Sequence, residues 1–191
     1  MKIPLSAPDI TEAEIEAVVA VLRTPRLSLG PVSEQFEAAV ATYVSVPHAV
    51  AVSSGTAGLH LCFRALDIGE GDEVIVPSFA FIAAANAIRY ERATPVFADI
   101  DPGTLNIDPQ RIEEAVTPRT RAILVVHNFG IPADISIILQ IAERHGLLVI
   151  EDACEAIGAE HRGRKAGSKG MPASSPFTPT SKSPPARGAW W

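Results

Sequence analysis

The sequence has little cysteine, no long apolar run and no excess of positive charge. Its two cysteines, Cys62 and Cys154, lie far apart inside apolar segments, which excludes a disulfide framework and makes a reducing cytoplasm the expected compartment. No uninterrupted apolar run reaches the ~18 residues of a membrane span, and the N-terminus lacks the apolar region of a secretory signal. We therefore expect a soluble protein that is not associated with membranes.

The net charge of −6 at pH 7 argues against a general binder of nucleic acid or of anionic membranes. The sequence contains neither G-x-G-x-x-G nor a Walker lysine, which weakens a dinucleotide or ATP interpretation. Nor do the cysteines have the spacing of metal ligands. With 47% apolar residues, the 191-residue chain is long enough to bury a sizeable core, and an enzyme or enzyme fragment is expected.

The last 21 residues differ in composition from the rest. They hold five of the 16 prolines, both tryptophans and no acidic residue, whereas residues 1–170 carry all 22 acidic side chains. The proline spacing excludes a regular helix or strand interior. We predict a folded body over residues 1–170 and a proline-rich, disordered tail over residues 171–191.

Helices and strands alternate along the body. The capping box formed by Thr11 and Glu14 predicts a first helix, and Ser33 is predicted to cap a second one whose Phe36, Val40 and Tyr43 face inward. Four more helices are expected near residues 59–66, 81–88, 109–116 and 135–145. Five apolar strands are expected at residues 49–54, 73–77, 95–100, 122–126 and 147–152. Apolar strands separated by short helices predict an α/β fold, with a mainly parallel sheet covered by helices on both faces.

Polar or aromatic groups follow several of these strands, where ligands of parallel sheets bind. The helix start at Gly55 and Thr56 suits a phosphate, although an ordinary helix cap by Ser54 or Thr56 explains the same residues. Glu151 and Asp152 follow the apolar run LLVI directly, where a carboxylate needs a cationic partner such as a protonated pyridine nitrogen or Mg2+, or else Asp152 caps a helix. Phe81 can stack on a planar ring or belong to the core.

Two other groups have simpler explanations. His127 ends the fourth apolar strand and can touch a ligand or cap a turn, and we favour the turn. Asp99 and Asp101 suggest a metal pair, but D-x-D before proline is typical of a turn. Glu155 lies three residues beyond Asp152, within reach of the same pocket.

Taken together, several segments resemble one family, the pyridoxal-phosphate-dependent sugar aminotransferases of the DegT/DnrJ/EryC1/StrS type. The matching segments are SSGTAGLHL, GEGDEVIVPSFAFIAAANAI, PVFADIDPGTLNIDP, VVHNFGIPADI and LLVIEDACEAIGAEHRGRKAGSKG. The resemblance covers about residues 3–170 and implies the large domain of a fold-type I, aspartate-aminotransferase-like enzyme with pyridoxal 5'-phosphate as cofactor. It implies no metal.

The resemblance also implies roles for individual residues. Gly55 and Thr56 would hold the cofactor phosphate, Phe81 would stack on the pyridine ring, and Asp152 would pair with the pyridine nitrogen. Glu155 occupies the place where the family usually has His or Gln near the ring hydroxyl, so its contact is left open.

The family's Schiff-base lysine is expected about thirty positions beyond the strand that ends in Asp152. Lys182 is the only lysine in that region, and its surroundings match no family motif. One possible DNA sequence for Gly170 and the tail, when translated from one nucleotide earlier, encodes DAGVFAFYPNKQITTGEGRVV. The lysine of that peptide falls at the position of Ser181. We hypothesise that one nucleotide was lost near Gly170, in the gene or in its sequencing. A divergent proline-rich tail is the alternative.

The resemblance implies transfer of an amino group from an amino-acid donor, glutamate or glutamine, to a keto group of a nucleotide-linked sugar. The intact enzyme is expected to be a cytoplasmic homodimer, and this chain an inactive, truncated fragment of it. Two alternatives stay open, a sugar dehydratase of the same family and a non-catalytic fragment that binds the cofactor or acts as a sensor.

Overall fold

The computed structural model describes residues 9–28 and 30–168, which form two compact units that meet in sequence between Phe36 and Glu37. The tail predicted for residues 171–191 lies outside the described residues. Among the described helices, none is both long and apolar enough to cross a membrane.

The first unit contains helix α1 (Glu12–Leu22). Its capping box is confirmed, because the Thr11 side chain accepts from the Ala13 amide and the Glu14 carboxylate accepts from the Thr11 amide. No side chain of α1 is buried, although Ile15, Val18 and Leu22 recur at helical spacing. A unit of this size has too few residues to build a core around an apolar face.

Helix α2 (Pro31–Val44) begins earlier than predicted, with proline in its first turn, and Ser33 lies inside it rather than capping it. The predicted inward face is also wrong. Phe36 and Tyr43 are about half exposed, and the buried residues are Ala41 and Val44.

Four strands form the parallel sheet of the second unit. They are β1 (Glu73–Pro77), β2 (Thr94–Ala98), β3 (Thr120–Val126) and β4 (Leu148–Asp152), in the order β2-β1-β3-β4. The strand predictions for these segments are confirmed to within a few residues at each end. Pro95 lies on edge strand β2, where its missing N–H donor costs least.

Helices cover both faces of this sheet. Helices α3 (Gly55–Ala65) and α4 (Ala83–Tyr90) pack on one face, where Phe63 and Ile88 meet Val74 and Leu124. Helices α5 (Pro109–Ala115) and α6 (Ile135–His145) pack on the other face, in a cluster that contains Ile112 and Ile138. The predicted α/β fold, with helices on both faces of a parallel sheet, is confirmed.

The first predicted strand, residues 49–54, is not a strand in the structure. Val50 is exposed and Val52 half-buried. A β-strand needs a hydrogen-bonded neighbour, and within the described residues this segment pairs with none. Its apolar sequence alone therefore did not determine its conformation.

A short antiparallel hairpin follows the sheet, with strands β5 (Glu160–His161) and β6 (Arg164–Lys165). The Lys165 ammonium lies 4.3 Å from the centroid of the Tyr43 ring and 3.4 Å from a Glu160 carboxylate oxygen. The amine of Lys165 is therefore engaged at the hairpin.

A buried carboxylate joins the amino ends of β1 and β3. Glu73 accepts hydrogen bonds from the Thr117 hydroxyl and from Arg119, whose Nε lies 2.9 Å from Oε1. The hydrogen bond from Thr117 has the largest effect on the pKa of Glu73 and those from Arg119 the next largest, and together they hold this pKa below its ordinary value of 4.5. The stabilisation that this lowered pKa provides is complete above pH 4.5 and is lost as the pH falls through the folded-state pKa.

We expect Glu73→Gln to lower the free energy of unfolding at pH 7 by about 1–3 kcal/mol, because a buried charge-assisted network is broken. The difference from the parent should shrink as the pH falls below 4.5. Urea unfolding at one protein concentration between pH 3 and 7 measures both effects. Glu114→Gln is the control, since Glu114 pairs with Arg111 on the surface and should change stability by no more than about 0.5 kcal/mol. Identical pH profiles for Glu73→Gln and the parent would contradict the assignment.

Candidate active site at the carboxyl ends of the strands

The predicted site residues lie beyond the carboxyl ends of the parallel strands or at the start of α3. Phe81 follows β1, His127 follows β3, Asp152 ends β4, and Glu155 lies three residues beyond Asp152. Because all four strands are parallel, their carboxyl ends share one edge of the sheet.

Gly55 and Thr56 form the first turn of α3 and are half-buried. Ser54 caps this helix, and its hydroxyl oxygen accepts from the Ala57 amide at 3.1 Å. The ordinary cap considered for these residues is therefore present. It leaves the helix start with its positive dipole end, so that an anion could still be held there.

Asp152 is half-buried at the last position of β4. Its Oδ1 accepts from the Cys154 amide at 3.1 Å, and its carbonyl oxygen accepts from the His127 amide at 3.0 Å. The backbone on both sides of this carboxylate is thus fixed by hydrogen bonds.

Glu155 is exposed, and its Oε2 accepts from the Phe129 amide at 3.1 Å. Phe129 belongs to a one-turn 3-10 helix, Asn128–Gly130, and has a left-handed backbone with φ of 54°. Glu155 therefore touches the segment after β3 in addition to lying beside Asp152 in sequence.

Phe81 precedes α4, contrary to the prediction that this helix includes it, and its side chain is 79% exposed. The core alternative for Phe81 is wrong. Phe79, two residues earlier, has its ring centroid 6.2 Å from that of Phe129. The loop after β1 therefore lies against the segment after β3.

His127 and Glu151 form a buried pair that the sequence analysis did not predict. His127 Nδ1 accepts from the Ala133 amide at 3.0 Å, so the neutral imidazole carries its proton on Nε2 and donates to Glu151 Oε2 at 2.9 Å. The same carboxylate oxygen accepts from the Gly167 amide at 3.1 Å. The side chains of His127 and Glu151 are only 1% and 2% exposed. This pair ties β4 to the segment after the hairpin.

Two buried asparagines were also missed. The side-chain Nδ2 of Asn128 donates to the carbonyl oxygens of Leu105 at 2.6 Å and Phe79 at 3.3 Å. Its backbone amide donates to Asn106 Oδ1 at 3.0 Å. Asn106 in turn donates to the Ile131 carbonyl at 2.9 Å. The hydrogen-bond partners of these asparagines lie 22 to 49 residues away along the chain. The local sequence therefore does not distinguish them from ordinary turn residues.

Of the two other aspartates, Asp101 forms the predicted turn, whereas Asp99 bonds to a distant residue. Asp101 accepts from the Gly103 amide at 2.7 Å in a turn, and Asp99 accepts from the Ser78 hydroxyl at 3.2 Å. Within the described ranges no three His, Cys, Asp or Glu side chains are grouped so that they could hold a metal ion.

A cavity of about 610 Å³ lies between the C-terminal ends of α3 and α4. The nearly buried Glu91 carboxylate there pairs with His60 at 2.8 Å and Arg64 at 3.2 Å, so its charge is already matched. Helix α3 ends shortly before β1 begins and α4 ends shortly before β2 begins, so this cavity lies towards the amino ends of those strands, whereas Asp152 lies at the carboxyl end of β4.

Comparison with known proteins adds what geometry alone does not give. Residues 8–183 match the model of the DegT/DnrJ/EryC1/StrS aminotransferase family. GDP-perosamine synthase of Caulobacter vibrioides is 48% identical over 170 residues, which are 88% of this chain and 46% of that protein.

Solved structures agree. DesV of S. venezuelae superimposes with a TM-score of 0.80 at 48% identity, over 82% of this chain and 42% of that one. NtdA of Bacillus subtilis, solved with bound PMP cofactor, superimposes with a TM-score of 0.77 at 42% identity, over 83% and 37%. The chain thus spans less than half the length of these relatives. Its sequence and its fold place it in the DegT/DnrJ/EryC1/StrS aminotransferase family.

Proposed function

We propose that this chain carries the cofactor-binding half of a pyridoxal-phosphate-dependent enzyme that transfers an amino group to a keto group of a nucleotide-linked sugar. An amino acid, glutamate or glutamine, would be the donor. The observation that carries the proposal is the half-buried Asp152 carboxylate at the end of β4, an apolar parallel strand that pairs with β3.

The residues present fit this cofactor. A carboxylate at the position of Asp152 is costly unless a cation meets it, and a protonated pyridine nitrogen is such a cation. The start of α3 at Gly55 and Thr56 suits a phosphate group, and the exposed ring of Phe81 is available to stack on a planar ring.

When bound, pyridoxal phosphate supplies an electron sink for bond breaking at the amino-bearing carbon. Asp152 would hold a proton on the ring nitrogen, Gly55 and Thr56 would fix the phosphate, and Phe81 would orient the ring. The Glu155 carboxylate already accepts a hydrogen bond from the Phe129 amide, so it would contact the ring in an orientation that keeps this bond. Its role is therefore proposed as contact at the edge of the ring.

The lysine that attaches the cofactor has to come from elsewhere in the protein. Within residues 9–28 and 30–168 Lys165 is the sole lysine, and its amine is engaged by Tyr43 and Glu160. We propose that the tail is out of frame and that the lysine belongs at the position of Ser181. The coding DNA decides this, because codons incompatible with the back-translation would end the frameshift hypothesis.

For the chain as it stands, the proposed activity reduces to reversible cofactor binding. The intact enzyme is proposed to be a cytoplasmic homodimer. Exposed apolar side chains near the carboxyl ends of the strands support the proposal that a second subunit covers this surface. They are those of Phe79, Phe81, Ile82, Phe129, Ile131 and Ile157.

Titration of the 191-residue chain with pyridoxamine 5'-phosphate, followed by ligand fluorescence, tests the proposal. This ligand has no aldehyde and therefore cannot react with surface lysines. We expect it to bind at least about tenfold more tightly than pyridoxamine, because the phosphate adds charge-assisted hydrogen bonds. Equal affinity for the two ligands, or no binding of either, would refute the proposed site.

We also expect the chain to self-associate or to need a partner. Residues 49–54 are apolar but unpaired within the described part of the chain, and exposed Phe97 lies on edge strand β2. Unpaired edges and exposed apolar side chains promote association between chains. Sedimentation velocity over a hundredfold concentration range measures this property, and a monomer that melts cooperatively would contradict the expectation.

A further inference from the structure

The segment after β3, residues 127–130, is hydrogen-bonded to residues at or just beyond the carboxyl ends of the three remaining strands, β1, β2 and β4. We call these four residues the corner segment. It reaches the loop after β1 through the Phe79 carbonyl, the loop after β2 through Leu105 and Asn106, and the end of β4 through Asp152 and Glu155.

We propose that the corner segment, with Asn128 at its centre, is the positioning element for the ring-binding side of the cofactor site. The inference rests on the proposed function. Phe81, Asp152 and Glu155 each lie on, or within two residues of, a partner of the corner segment. Gly55 and Thr56 have no hydrogen bond to it in the described part of the chain. The element therefore acts on the ring side and leaves the start of α3 alone.

Asn128 suits this role because its backbone amide and its side-chain nitrogen both donate to other loops. Its side chain is buried at 6% exposure, and its amide nitrogen bridges two carbonyl oxygens that belong to different loops. Both of these hydrogen bonds are part-buried, and each carbonyl that keeps its donor there is stabilised, so each loop gains from its bond to Asn128. No other side chain type of this volume offers two N–H donors from one nitrogen.

Phe129 shows that the corner segment is held by its surroundings. A φ of 54° is unfavourable for a residue with a β-carbon, yet Phe129 adopts it between buried Asn128 and the Gly130 turn. Its amide bond to Glu155 fastens this conformation to the residues after Asp152. On the other side, His127 donates its amide proton to the Asp152 carbonyl. Asp152 and Glu155 are thus both attached to a backbone that has little freedom.

The test uses the full 191-residue chain and the variant Asn128→Ala. Hydrogen exchange, which needs no cofactor, should become at least about tenfold faster in residues 78–84, 127–131 and 152–156. Exchange in residues 57–65 of α3 should stay unchanged, since that helix packs through Leu59 and Phe63 and not through the corner segment. Uniform acceleration across the chain, or none anywhere, would overturn the proposal.

The second readout is the dissociation constant for pyridoxamine 5'-phosphate. We expect Asn128→Ala to raise it about tenfold, whereas Asn86→Ala should stay within about twofold of the parent. Asn86 is the matched control because it lies half-buried on α4 and makes no side-chain hydrogen bond in the described structure. Faster exchange at the three segments with unchanged affinity would also overturn the positioning role.

Two further results separate this inference from the proposed function. If the parent chain binds no pyridoxamine 5'-phosphate, the proposed function fails, and the exchange pattern alone decides whether the corner segment fixes the three loops. If Asn128→Ala does not fold, Glu155→Ala replaces it, since Glu155 is exposed and its removal deletes only the bond to the Phe129 amide. Exchange in residues 127–131 and 152–156 should then rise, and unchanged exchange there would overturn the proposal.

Discussion

In the protein with the reading frame restored, Asp152→Asn is expected to reduce turnover at least about a hundredfold while leaving fold and cofactor binding in place. An asparagine fills the same space at the end of β4 and can still accept from the Cys154 amide through its side-chain oxygen. It carries no charge, so it does not hold a proton on the pyridine nitrogen. Removing one preorganised electrostatic contact of this kind costs about 10²–10³ in rate.

The measurement is single-turnover amino transfer, followed by the cofactor absorbance, with circular dichroism as the check on folding. Asp134→Asn is the control. Asp134 caps α6 by accepting from the Ile137 amide, and asparagine caps a helix about as well as aspartate, so turnover should stay within about twofold. Activity of Asp152→Asn close to that of the parent would remove Asp152 from its proposed role.

Local features of this fold were predictable from the sequence. Helix α6 begins after Asp134 and ends at Gly146, whose φ of 66° is the left-handed conformation that glycine tolerates. Helix α5 likewise has Asp108 as its cap and proline in its first turn. Each of these signals depends on neighbours within a few residues, so the sequence contains the whole interaction.

Features that depend on distant partners were not predictable in the same way. Residues 49–54 have the composition of a buried strand but pair with no strand in the described part of the chain. The inward face of α2 was assigned to Phe36 and Tyr43 by spacing, whereas Ala41 and Val44 are buried. Helical period gives the faces of a helix but not which face the rest of the chain covers.

The candidate site divides along the same line. The positions of Gly55, Thr56, Asp152 and Glu155 beside their elements follow from strand and helix signals, whereas the roles proposed for them rest on the family resemblance. The buried contacts of Asn106, Asn128 and Glu151 do not follow from such signals, because a turn asparagine and an asparagine that bonds to two distant loops have the same local sequence. Those contacts are a property of the folded chain.

The second large effect concerns the amine that attaches the cofactor. A covalent bond to an aldehyde cofactor requires an unprotonated amine held within bonding distance of the aldehyde carbon, in a pocket that excludes water. The described residues contain one lysine, Lys165, and its amine faces the Tyr43 ring and Glu160. In the tail, Ser181 offers only a hydroxyl, and under the frameshift hypothesis Lys182 is one residue out of register.

We therefore expect the 191-residue chain, incubated with pyridoxal 5'-phosphate and reduced with borohydride, to carry no stoichiometric pyridoxyl adduct at Lys182. The version with one nucleotide restored near codon 170 should carry one adduct per chain, at the lysine that replaces Ser181. Tryptic peptide mass spectrometry locates the adduct, and Lys165 is the internal control for nonspecific labelling, because it is present in both proteins. Under the frameshift hypothesis Lys182 is one residue out of register, and a displacement of that size is expected to prevent the bond, which requires precise placement of the amine. A stoichiometric adduct on Lys182 in the uncorrected chain would reject both the frameshift and the register on which it depends.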